Sequence, residues 1–576
     1  MRDKRYFAMI ALMVVTVACG EDSEPSDGGE PVTSIPDEVT DDEESGTQYL
    51  TPTDHLVRAS MALRGERPSV SELQEVHANP AAIEGIVDSY METEAFGETI
   101  REMHNEALQL RPFLFWFPTQ GEFVDETLVS FNRSVLESPL RLIEHVVMNN
   151  RPYSEIVTAD YTLADDKVAG VWGMAYEGSG EWVETRWPEE GRPHAGVLSE
   201  SMFYVRHYSS PLNAQRSRAN AMTRAFLCYD FLKNGIDVDG NVDLSDPEKI
   251  KNAVKTPACA TCHDDLDPLA ALFWRHEFFV SPATIESYPY THYRPDYETI
   301  YRPRYSDREP AYFGKQVGDI KELGLAISED PRFVGCAVKR FFSYLAQVPE
   351  EAVPFEAASS LRAEFVESGL NARTLAKAVV LSDAFRASHV IGSETEDDRP
   401  YLQKVRPRQW NRMMLAMIGY RWDADFQFPL DFLGGGIYGR VDLMTDSLLG
   451  YEVLAGGVDD YIVTAPVHTI NPTASLVFDS FAQEAAGFVV DRDLGDGPPS
   501  LNRLLTVGLD ADDAALRLEM SRLHLKLFAE FVTPDSEDVT ASMTLYQSAL
   551  SISNDPRRAW GTLLTAMFQD SRLIYY

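Results

Sequence analysis

The chain has 576 residues, with 90 acidic against 51 basic side chains and a formal net charge of −39. That excess of negative charge leaves no electrostatic footprint for a nucleic acid and excludes one as partner. The 44% hydrophobic content is that of a globular protein, and the length suffices for about two to four domains.

Met1 to Gly20 read MRDKRYFAMIALMVVTVACG. Arg2, Lys4 and Arg5 precede an apolar run from Phe7 to Val17 that is too short to span a membrane as a mature helix. The segment reads as a signal peptide. Thr16-Val17-Ala18-Cys19 resembles a bacterial lipobox, with Thr16 where Leu or Val is usual. Cys19 is the expected lipidation site. The protein is therefore expected outside the cytoplasm, in the periplasm or at the outer membrane or cell surface, with the membrane as partner through a lipid anchor. Glu21 to Gly46 are rich in Asp, Glu, Ser, Pro and Gly and read as an acidic disordered linker.

Ordered structure is expected from Thr53 or Asp54, either of which can cap a helix carrying Leu56, Ala59, Met61 and Leu63. Ser69 and Glu72 have the spacing of a capping box. Ala82, Ile83, Ile86 and Val87 give a further helical face that ends near Phe96, and Ser138 to Asn149 another, with Pro139 at an early helical position. Leu163 to Pro193 mix glycines with Trp172, Tyr176, Trp182 and Trp187 and predict loops with one short hairpin. Ala214 to Leu232 are helical. Asp237 to Glu248 match a calcium loop in part, but Val242 replaces the needed glycine, so a solvated acidic turn is the reading. Helices resume at Ile320, and a charged, turn-rich boundary falls at Ile391 to Pro400. The last third predicts helices over Trp410–Ile418, Pro472–Val490, Ala514–Phe528 and Trp560–Phe568. Its glycine runs at Gly434 and Gly456 lack phosphate-binding spacing.

The chemistry-bearing stretch is Cys259-Ala260-Thr261-Cys262-His263, followed by Asp264-Asp265-Leu266-Asp267-Pro268. Two cysteines two residues apart with a histidine directly after them make the c-type haem attachment pattern. Each thiol can add to one porphyrin vinyl group, and the next imidazole then lies beneath the ring as axial ligand. Zinc would want a second Cys/His pair, which is not nearby, while a redox dithiol or a disulfide remains the alternative. Cys228 and Cys336 are left over and can pair or both stay free. No methionine occurs between Met222 and Met413, so a downstream methionine is not on offer as second axial ligand. His276 is the first candidate for that position and His292 the second, with His194, His207, Met202 and Met222 upstream. The cofactor expected is one covalent haem c, held by Cys259 and Cys262 with His263 proximal; the distal position is expected to hold a second histidine, His276 before His292, or to be open.

Further stretches share this order. RGERPSVSELQEV (Arg64 to Val76), RPYSEIVTADYT (Arg151 to Thr162), GVLSESMF (Gly196 to Phe203), CATCHDDLDPLA (Cys259 to Ala270) and AKAVVLSDAFR (Ala376 to Arg386) resemble the planctomycete-specific cytochrome-like domain family, relatives of which occur in myxobacteria as lipoproteins. The resemblance spans roughly residues 50 to 390. The family pattern usually continues with Glu-Asn-Phe-Asp where this chain reads LFWRHEFF. The resemblance implies a secreted haem-bearing protein and no settled reaction.

The fold class read from these patterns is mainly α, with multi-helix domains, long aromatic and glycine-rich loops, one c-type haem segment and few short strands. The divisions are a signal peptide over 1–19, a linker over 20–47, and helical domains over 48–240, 241–392 and 400–576, the middle one bearing the haem. The function expected is electron transfer with an unknown redox or protein partner. The alternatives are a lipoprotein that binds a protein or glycan with a structural haem or none, and a haem-dependent oxidoreductase. No Ser-x-Gly elbow or HExxH supports a hydrolase.

Overall fold

The computed structural model describes residues 47–112, 116–233, 246–390, 402–430, 435–495 and 503–576. The signal peptide, Cys19, the linker, Asp237 to Leu244 and the boundary at Ile391 to Pro400 lie outside them. Helix makes up 59% and strand 6%, so the fold is mainly α, and the strands pair two by two.

Side-chain caps decide where helices begin. Thr51 Oγ1 accepts the Asp54 amide at 3.2 Å and starts the helix Pro52–Arg64, two residues before Thr53. Ser69 and Glu72 form the expected reciprocal box, with bonds of 3.2 and 2.7 Å, at the head of Val70–Ala78. The helical face at Ile83 stops at Tyr90, and Thr93 caps a separate helix, Glu94–Leu108.

Two sequence readings change. Pro139 sits inside the helix Leu128–Met148, not at its start. An interior proline costs about 3 kcal/mol. Here the buried face through Val135, Leu140, Ile143 and Val147 outweighs that, at roughly 1.5–3 kcal/mol per buried side chain. The stretch from Leu163 contains a helix, Asp166–Trp172, as well as the expected hairpin, Thr162–Ala164 against Val183–Thr185. Asp165 caps that helix through the Val168 amide at 2.9 Å. In the last third, the expected helices form, and a further helix, Glu537–Ser553, packs on Pro556–Phe568.

Ser45–Tyr576 make one compact unit. Its main apolar cluster takes Leu56, Leu269, Phe341 and Trp410 together, so residues of all three segments divided at 240 and at 392–400 share one core. A second cluster is built largely by the aromatic, glycine-rich loops: Phe117, Phe123, Trp172, Trp187, Val280 and Ile285 close over Phe131 and Val135.

A disulfide joins Cys228, which ends the helix Arg216–Leu227 in a left-handed conformation, to Cys336 in the helix Pro331–Ala346. Arg218, 0% exposed, donates to the backbone oxygens of Tyr204 at 3.1 Å, His207 at 3.0 Å and Glu277 at 2.6 Å. It thereby ties the end of the helix Ser201–Arg206 to the chain leaving the CxxCH helix.

Replacing Cys228 and Cys336 together by serine removes a cross-link over 108 residues. Urea unfolding should show a loss of about 2–4 kcal/mol. An unchanged midpoint would mean that the bridge adds nothing to stability.

Glu200 is 1% exposed and accepts from Ser138 Oγ at 2.8 Å and from Thr162 Oγ1. Burial pushes its carboxyl up to about 7, against the pull of the two hydroxyls and Arg192. A raised carboxyl adds stability below its unfolded value near 4.5 that is lost as pH rises through 7. The Glu200→Gln protein should therefore gain on the wild type between pH 5 and 8, by up to about 1.4 kcal/mol per unit. Urea unfolding at both pH values checks this; a constant difference would refute it.

Candidate functional site

The CxxCH residues lie on the helix Pro257–Ala270, which starts with Thr256 at the cap and Pro257 at its first position. Spacings of three and four place side chains on one helical face. Cys259 thus shares a face with Cys262 and His263, and His263 with Asp267. Both cysteines are free thiols. Cys262 is 9% exposed and packs into the main core with Leu266 and Leu269, whereas Cys259 is half-buried one turn earlier. Thr256, Pro257, Ala258 and Thr261 around them are exposed.

His263 Nδ1 lies 2.8 Å from Asp267 Oδ1. Asp267 is 3% exposed and takes a forked pair of bonds from Arg216, Nε to Oδ1 at 2.6 Å and Nη2 to Oδ2 at 2.8 Å. Burial raises its carboxyl, but the bonds and charges of Arg216 and His263 outweigh this and hold it below the usual range. An ionised carboxylate can only accept, so the proton of the neutral imidazole sits on Nδ1. The Nε2 lone pair faces no hydrogen-bond partner among the described residues. Two ion pairs fix the loop beside the helix: Arg308 to Asp264 at 2.6 Å and Lys255 to Asp307 at 2.5 Å.

This donor set is of the type that a c-type haem would use. It has two free thiols on one face, an imidazole next to them in the ligating tautomer, and a carboxylate behind that imidazole, the usual partner of a metal-bound histidine. It does not suit structural zinc: among the described residues no group of three or more His, Cys, Asp or Glu side chains is placed to hold a metal ion.

His276 lies in the core, 2% exposed, its ring stacked on Tyr204 with centroids 3.6 Å apart. It pairs across a short bridge with Tyr293, and its ring is 5.6 Å from that of buried His292. Neither ring nitrogen of His276 has a protein partner. Burial, and then the charges of Arg192 and Arg218, push both pKa values well below the ordinary one, so both rings are neutral at pH 7. Among the described residues no hydrogen bond or ring contact joins either to His263. The upstream candidates are engaged elsewhere. Met202 and Met222 are core residues, His207 bonds Leu108 O at 2.9 Å, and His194 Nε2 accepts the Trp187 amide at 3.2 Å.

Sequence reasoning missed Asp267 and Arg216. The spacing of four from His263 to Asp267 is legible in the chain, but Arg216 stands 51 positions away and only the packing of two helices brings it there.

Comparison with protein-family models, curated proteins and solved structures finds no match.

Protein made without haem-maturation machinery should react with iodoacetamide at Cys259 first and more slowly at Cys262, with Cys228 and Cys336 unlabelled until reduced. Peptide mass spectrometry reads the order. Equal rates at Cys259 and Cys262 would contradict their difference in burial.

Proposed function

We propose that Cys259 and Cys262 carry one covalent c-type haem with His263 as its proximal ligand. In this reading the chain is an extracytoplasmic, lipid-anchored electron-transfer protein akin to the planctomycete-specific cytochrome-like proteins. The observation that carries the reading is the CxxCH set on one helix face, with His263 Nδ1 turned to Asp267 and Nε2 left without a protein partner.

When bound, such a group supplies a one-electron iron couple. The chain's part is attachment and orientation. Cys259 and Cys262 each give a thiol. His263 gives an imidazole lone pair, and Asp267 keeps the proton on the other nitrogen. His276 is kept as the candidate distal ligand from the sequence; its ring nitrogens have no protein partner, while its ring stacks on Tyr204 in the core and, among the described residues, makes no contact with His263. The acidic surface suits a basic redox partner, which it would attract over distance. The leader, Cys19 as lipid site and the Cys228–Cys336 disulfide all favour an oxidising compartment outside the cytoplasm. No helix among the described residues is long and apolar enough to cross a membrane.

Full-length protein made with cytochrome c maturation machinery should keep a haem stain after denaturation, and Cys262→Ala should weaken it. The mature mass should include one haem and a diacylglyceryl group at Cys19. A mature mass without haem under those conditions rules the reading out. The optical spectrum of His276→Ala beside wild type tests the distal ligand: an unchanged low-spin spectrum would remove His276 from the site.

A further inference from the structure

We propose that Asp267, held by Arg216, is a positioning residue that sets the tautomer and basicity of His263 and thereby biases an attached haem iron toward its oxidised state. This rests on the haem reading of Cys259, Cys262 and His263.

A buried Asp is tolerated when its oxygens are bonded and its charge is paired. Both oxygens of Asp267 are engaged by Arg216, and the fork fixes the plane of the carboxylate. The spacing of four on a helix then brings Oδ1 to His263 Nδ1 at 2.8 Å. A free neutral imidazole moves its proton between its two nitrogens and turns about its side-chain bonds. Here an acceptor-only partner keeps the proton on Nδ1, and the rigid helix keeps the ring facing one way. Nε2 is left as the nitrogen able to bind iron.

The same bond changes the strength of the ligand. A carboxylate drawing on Nδ1–H makes the ring more electron-rich and raises its basicity as a ligand. A more basic axial ligand stabilises ferric iron more than ferrous iron and lowers the potential. Arg216 acts one step further out, since it aims the carboxylate. A merely structural role for the pair would alter stability without moving the redox equilibrium.

The test uses full-length, haem-matured protein in an anaerobic spectroelectrochemical titration of wild type, Asp267→Asn, Asp267→Glu and Arg216→Lys. Haem stain after denaturation is read on the same samples. Asp267→Asn should lower the ferric-to-ferrous ratio at fixed applied potential at least tenfold, a rise of about 59 mV for a one-electron couple. Arg216→Lys, which keeps the charge and loses the fork, should shift it the same way by less. Asp267→Glu should restore most of the wild-type ratio. Stained variants with the wild-type potential overturn this proposal and leave haem attachment standing. If Asp267→Asn does not fold, an unshifted Arg216→Lys overturns it equally. Wild type without stain overturns the haem reading and this inference with it.

Discussion

A carboxylate buried between two helices has to be paired, and Asp267 is paired by Arg216. Much of the site's geometry follows from that pair. It docks the CxxCH helix onto the start of the helix Arg216–Leu227, and it presents one oxygen to His263. Two residues on, Arg218 binds four backbone oxygens of neighbouring segments. Removing one partner of a buried ion pair leaves an uncompensated charge and costs about 3–5 kcal/mol, so the contact resists drift. The first turn of one helix thus positions both the motif and the chain that leaves it.

The aromatic, glycine-rich stretches build a second, smaller apolar cluster. Such loops carry too much apolar ring surface to remain in water, and here they fold into a second core around Trp172 and Trp187. Arg192 lies over the Trp187 ring at 3.4 Å, which lets a buried guanidinium share that core. The His276–His292 pair sits at its edge, with Trp172 packed 6.1 Å from His292. Burial first, and then the nearby guanidinium charges of Arg192 and Arg218, oppose protonation of these two imidazoles.

The disulfide closes a covalent loop of the chain that includes the site. Cys228 and Cys336 bracket the chain that contains Cys259, Cys262 and His263 and join two helices of the main core. Closing so long a loop limits the unfolded ensemble. The remaining two cysteines stay reduced on their own helix, so the four cysteines of the described body divide into a bridge and a thiol pair.

Much of the secondary structure was legible in the chain, because caps and apolar spacing act locally. Ser69 with Glu72 and the helices from Ile320, Pro472 and Asp513 needed no distant partner. Pro139 misled because a local penalty was outweighed by burial along a long helix face. The helix at Asp166 was hidden by its glycine and tryptophan content, which resembles that of a loop. Within the site, the CxxCH motif belongs to the sequence alone, whereas the helix that puts Cys259, Cys262 and His263 on one face was seen only in the structure. The pairing of Cys228 with Cys336 was open in the chain, as was the burial of His276 against Tyr204. Above all, Arg216 reaches Asp267 only after two helices pack, since a bond between residues far apart in sequence depends on where the whole chain places them.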